Sequence, residues 1–140
     1  MDEAGSVRMV DVGAKAHERR RAVARAYVRM RGQTAATLRA LPKGDALVTA
    51  QLAGIMAAKR TAELIPLCHP LPLSHVDVLV ETREGGVEIV ATVETTAQTG
   101  VEMEALTGAA VAALTVYDMA KAVDSELVVE EVRLLEKTKG

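Results

Sequence analysis

The chain has 140 residues, with 17 basic and 19 acidic side chains and a net charge of −2. That length suits one domain able to bury a core, and the near-balanced charge argues against a general nucleic-acid binder. Aromatics make up 1% of residues and there is one Cys, which leaves an aliphatic core, no stacking platform for single-stranded bases, and neither a disulfide framework nor a Cys-rich zinc site.

No apolar run reaches the ~18 residues of a membrane span. Asp2 and Glu3 open the chain without an apolar signal core. The expectation is a cytoplasmic protein with no membrane or nucleic-acid partner.

Residues 1–18 show no clear period and are read as a flexible start. Beyond Arg19-Arg20-Arg21, the even positions are Ala22, Ala24, Ala26, Val28 and Met30, and the odd ones include Arg25, Tyr27, Arg29 and Arg31. A period of two predicts a half-buried strand over 22–31 with a basic face. A solvated surface is the plainer role for that face. Attraction of a polyphosphate is the functional alternative, because Arg matches phosphate oxygens in pairs.

Residues 33–41 suit a short helix stopped by Pro42, and Lys43-Gly44-Asp45 a turn. Residues 46–50 read as a short strand. Residues 51–64 read as a helix that buries Leu52, Ile55, Met56 and Leu64 and exposes Lys59, Arg60 and Glu63. It must end by Ile65, because the residue before Pro66 is pushed out of the helical region.

Three of the four prolines fall in Pro66-Leu67-Cys68-His69-Pro70-Leu71-Pro72. Such a loop is stiff and can hold a side chain in fixed geometry. His69 is the candidate acid, base or phosphate contact, weighed against a hydrogen-bonded structural histidine. The adjacent Cys68 reads as a small hydrophobe rather than a nucleophile.

Val76, Val78 and Val80 alternate with polar residues, Glu84-Gly85-Gly86 turns the chain, and Val87, Ile89, Ala91 and Val93 alternate again. These predict a hairpin. Residues 98–123 read as one long helix, with Thr99 and Glu102 as a capping box. It is apolar nearly all round, so it should be buried, and its Gly/Ala-rich stretch 108–114 lets another backbone pack close. Glu104, Thr107, Thr115 and Asp118 fall on one arc, with Lys121 one turn beyond Asp118 as its partner in a buried pair. Glu104 and Asp118 lie ~21 Å apart along the axis at 1.5 Å per residue, so one copy of the helix cannot bring both to one reacting atom. Residues 126–135 close the domain as a last strand, with 136–140 as a loose tail. The order predicts an α+β fold: a ferredoxin-like antiparallel sheet with helices packed on one face.

Several stretches carry a further signal: Met9-Val10-Asp11-Val12, Lys43-Gly44-Asp45, Ala57-Ala58-Lys59-Arg60-Thr61, Leu64-Ile65-Pro66-Leu67-Cys68-His69-Pro70-Leu71, Thr99-Gly100-Val101-Glu102-Met103-Glu104-Ala105-Leu106-Thr107, Tyr117-Asp118-Met119 with Lys121, and Val132-Arg133-Leu134-Leu135. In this order, over nearly the whole chain, they resemble the cyclic pyranopterin monophosphate synthases, the C protein of molybdenum cofactor biosynthesis. The resemblance implies a lyase that converts 3',8-cyclo-7,8-dihydroguanosine 5'-triphosphate to cyclic pyranopterin monophosphate and expels pyrophosphate. It implies a homohexamer, a trimer of dimers, with sites between paired subunits. The catalytic positions it implies are Asp118, Lys121, Lys43 and His69. The substrate-binding positions are Leu67, Cys68, His69, Thr99, Glu102, Met103 and Glu104. Two departures stand out: Gln98 occupies a place where many members carry Lys, and the C-terminal tail is short.

No resident cofactor or metal is called for, since Cys68 and His69 alone make a poor site; Mg2+ can arrive with the substrate triphosphate. The rival reading is a non-catalytic purine-nucleotide-binding regulator or oligomeric scaffold, because ferredoxin-like folds host many binding functions. A regulator would return its nucleotide unchanged.

Overall fold

A computed structural model describes residues 5–140, so Asp2 and Glu3 lie outside the described residues. The chain runs β1 (Glu18–Arg29), α1 (Gly32–Ala35), a 3-10 turn (Leu38–Ala40), α2 (Ala46–Lys59), α3 (Thr61–Leu64), β2 (Leu73–Arg83), β3 (Gly86–Ala97), α4 (Glu102–Ala120) and β4 (Val128–Lys139). The strands form one sheet in the order β2-β3-β1-β4, antiparallel throughout. With α2 and α4 as its two long helices, this is the expected ferredoxin-like arrangement.

The period of two sets the faces of the sheet. Ala22, Ala24, Ala26 and Val28 of β1 are fully buried, as are Val87, Ile89, Ala91 and Val93 of β3. They pack under α4, while α2 packs on β2 and on α4. The hairpin turns at Gly85, whose φ of 80° lies where a glycine is favoured.

The arginines on the odd positions of β1 are not a free anion-binding face. Arg25 bonds Glu88 and Glu131, both at 2.8 Å, Arg21 pairs with Glu136, and Arg29 Nε lies 3.4 Å from Glu130. These are cross-strand ion pairs that neutralise one another. The Arg25 hydrogen bond holds the Glu88 carboxyl below its ordinary range. The solvated-surface reading holds for this stretch.

Three stretches depart from expectation: α2, the start of α4 and the C-terminal tail. Residues 46–50 are the first turn of α2 rather than a strand. Asp45 caps that turn: its Oδ1 accepts from Leu47 N at 2.9 Å and Val48 N at 3.2 Å, a bond worth ~1 kcal/mol. The face that α2 buries is also different. It is the small-residue stripe Ala46, Ala50, Gly54, Ala57 and Ala58, while Leu52, Met56 and Leu64 are 58%, 42% and 55% exposed. Close packing on α4 selects small side chains over large ones there. A Cβ at Gly54 would stand 2.9 Å from the Gly108 carbonyl. The expected close partner of the 108–114 stretch is therefore α2 of the same chain.

The second correction is the start of the long helix. It begins at Glu102, with Val101 at the cap position and no side-chain cap. Val101 is buried in the core, and the Glu102 carboxylate turns toward Gly100 and Lys137 instead of the Thr99 amide. The capping box does not form. The third is the tail: β4 continues to Lys139, pairs as far as Arg20↔Lys139, and Gly140 N donates to Arg19 O at 2.9 Å. Residues 136–139 complete the ladder along β1, whose edge there would otherwise carry unpaired backbone groups.

Candidate active site

At the start of α4, Leu67, Cys68 and His69 from the proline-rich loop face Thr99, Glu102 and Met103 across a cavity of about 400 Å³. The loop is anchored by buried Thr95, whose hydroxyl donates to Pro72 O at 2.6 Å. A Cβ at Gly100 would fall where the Glu102 carboxylate now sits and would displace that side chain. Glu102 and Glu104 both sit in the first turn of α4, where the helix dipole favours negative charge.

Glu104 is only 2% exposed. Burial raises its carboxyl above the ordinary range by disfavouring the charged form. The Cys68 thiol donates toward Oε2 at 3.7 Å. Burial first, and then the Glu104 and Glu102 carboxylates, push that thiol up to about 11. Cys68 is thus a neutral donor at pH 7 rather than a nucleophile. Glu104 Oε1 has no hydrogen-bond partner among the described residues, and the residue also borders a smaller cavity of about 150 Å³ with Thr61, Pro70 and Leu71. His69 is half-buried in the wall of the larger cavity, and its ring makes no hydrogen bond to protein among the described residues.

Lys43, Asp118 and Lys121 gather at the opposite end of α4. Asp118 Oδ2 accepts from Lys43 Nζ at 2.8 Å, and Oδ1 lies 2.9 Å from Lys121 Nζ. The Lys43 hydrogen bond, then that of Lys121, holds the Asp118 carboxyl below its ordinary range. The lysines also offset an unfavourable position, since a carboxylate near a helix C-terminus opposes the dipole. Three consecutive residues build this end. Lys43 reaches Asp118, Gly44 takes φ +120° in the turn closed against Leu41, and Asp45 caps α2. The pair was expected to be buried; instead the Asp118 side chain is 49% exposed and that of Lys121 57%. The last turn of α4 ends at the surface of a single chain.

The lining of the cavity at the start of α4 does not include Lys43, Asp118 or Lys121. The chain therefore brings the implied residues together as two clusters, one at each end of α4.

The MoaC family profile matches residues 9–140. The chain belongs to the MoaC family. It is 56% identical to a cyclic pyranopterin monophosphate synthase of Roseiflexus sp. (strain RS-1), over all of this chain and 91% of that protein. The proteins of the same name from Novosphingobium aromaticivorans and Herpetosiphon aurantiacus are 55% and 57% identical, over all of this chain and 90% and 88% of theirs.

Two residues of the site escaped the sequence reading. Lys15 lines the cavity from the N-terminal arm, and Lys137 of β4 lies 3.7 Å from Glu102. The signal for Lys15 was its place just after the Met9–Val12 motif; Lys137 fell in the stretch read as a loose tail. Among the described residues no group of three or more His, Cys, Asp and Glu could hold a metal ion, and no helix is long and apolar enough to cross a membrane.

Proposed function

We propose that this chain is a cyclic pyranopterin monophosphate synthase of molybdenum cofactor biosynthesis. In that role it converts 3',8-cyclo-7,8-dihydroguanosine 5'-triphosphate to cyclic pyranopterin monophosphate and releases pyrophosphate. One observation carries the reading: every residue implied by the motifs falls in one of two clusters, the cavity with its Cys68–Glu104 contact or the Lys43–Asp118–Lys121 group.

The rearrangement moves protons to and from nitrogen and oxygen, so it needs several acids and bases rather than one nucleophile. The clusters supply opposite kinds. Asp118 is an ionised carboxylate between two ammonium donors, suited to accept a proton or to lend its lysines to an anionic group. At the other end Cys68 keeps its proton and presents a donor, and burial makes Glu104 hold a proton more readily than an ordinary carboxyl, with His69 beside them.

Each complete site then takes the cavity end of one protomer and the Asp118 end of another. The exposed apolar residues Val48, Leu52 and Met56 of α2 and Leu114 and Tyr117 of α4 support self-association through the helix layer, with the homohexamer, a trimer of dimers, as the assembly. No resident cofactor takes part; Mg2+ enters bound to the substrate phosphates. The enzyme works in the cytoplasm.

The test is incubation with the cyclised dihydro-GTP. Pterin and pyrophosphate should appear in equal amounts, and Asp118→Asn or Lys121→Ala should cut turnover by ~10²-fold or more at unchanged oligomer size. Substrate returned unchanged by the wild type would overturn the reading.

A further inference from the structure

We infer that Gln98 is a positioning residue: its side-chain amide clamps the N-terminal arm, residues 10–15, onto the wall of the substrate cavity. The inference rests on the reading of that cavity as the substrate site.

Gln98 follows directly on β3. Its own backbone is held in place, because Arg20 Nε donates to Ala97 O at 3.3 Å and Arg20 Nη2 to Gln98 O at 3.4 Å. From this fixed corner Gln98 Nε2 donates to Gly13 O at 3.2 Å and to Lys15 O at 3.3 Å. A primary amide has two N–H groups, and both are used on the arm.

The arm is shaped to receive them. Gly13 N donates to Asp11 Oδ1 at 2.8 Å and Lys15 N to Val12 O at 3.0 Å, so residues 11–15 form a compact turn that offers the two carbonyls. Apart from Gln98, no described hydrogen bond ties residues 10–15 to the folded domain. The same turn places Val10, Val12 and Lys15 in the cavity lining, opposite Thr99 and Glu102. Releasing it removes an apolar wall and a cation from the pocket. It leaves the Asp118 cluster at the far end of α4 untouched. The defect should therefore fall on substrate binding rather than on the chemical step.

The substitutions follow from the geometry. Gln98→Glu keeps the shape but sets a carboxylate against two carbonyl oxygens, so it releases the arm without opening a cavity. Gln98→Lys restores donors at similar reach. Limited trypsin digestion of the intact protein reads the arm directly, through the initial rate of cleavage after Lys15. Gln98→Glu should raise that rate about tenfold by populating the open arm. It should raise KM about tenfold with kcat within about twofold, and Gln98→Lys should restore both readouts. Wild-type cleavage rates in Gln98→Glu would overturn the clamp. Faster cleavage with an unchanged KM would overturn its part in substrate binding. If the wild type turns over no substrate, the functional reading fails while the cleavage rates still decide the clamp.

Discussion

Asp118 and Glu104 are carboxylates on the same helix, and their surroundings push them in opposite directions. Asp118 sits half-exposed between two lysines, below its ordinary range. Glu104 is buried beside a neutral thiol, above its ordinary range. Two carboxyls moved apart in this way can serve as base and acid at one pH. The Glu104 shift has a consequence for stability. Below the unfolded value the group is protonated in both states and contributes nothing. As pH rises through the ordinary carboxylate range toward the raised folded value, the unfolded state ionises first and stability is lost. Glu104→Gln lacks that loss, so the Tm difference, variant minus wild type, should grow as pH rises through this window. A difference that shrinks with rising pH would mean that the carboxylate is stabilised where it sits. The pairing of Asp118 with Lys121 was legible from their spacing of three residues. The approach of Lys43 and the thiol contact of Glu104 were not legible from spacing, since they join residues 75 and 36 positions apart.

Among the elements, strands were easier to read than the helix pair. Alternation in 22–30, 76–80 and 87–93 marked their buried faces correctly, because a sheet covered on one side writes its period into the sequence. In α2 the same reasoning chose large apolar residues, whereas the contact with α4 selects small ones. Gly54 and Gly108 set that contact. A methyl at Gly54 would meet a backbone carbonyl, Val78 and Ala112, all within 3.2 Å. Alanine gains ~0.5–1 kcal/mol in helix propensity, but overpacking of a tight core costs ~1–3 kcal/mol. Gly54→Ala should therefore lower stability by about 1 kcal/mol, read from urea midpoints at constant slope. A stabilised variant would mean that α2 and α4 stand farther apart. Asp45 misled the reading for a related reason: Val48 and Thr49 look strand-forming alone, but the cap in front of them starts a helix.

For the whole molecule, the decisive feature is α4 itself, with one cluster at each end and ~21 Å between Glu104 and Asp118 at 1.5 Å per residue. This separation was legible before any coordinates, because it depends only on residue number and helical rise. Which surfaces meet was not legible, since the exposed apolar positions of α2 had been assigned to the core. The account holds that two chains combine their ends, and the most direct test mixes two inactive proteins. Glu104→Ala chains and Asp118→Asn chains are dissociated together, reassembled and assayed with the cyclised dihydro-GTP. In a two-fold pair, a mixed dimer holds one site with both lesions and one with neither, so random pairing should restore about a quarter of wild-type activity. Verified mixed oligomers that stay inactive would contradict the two-chain site.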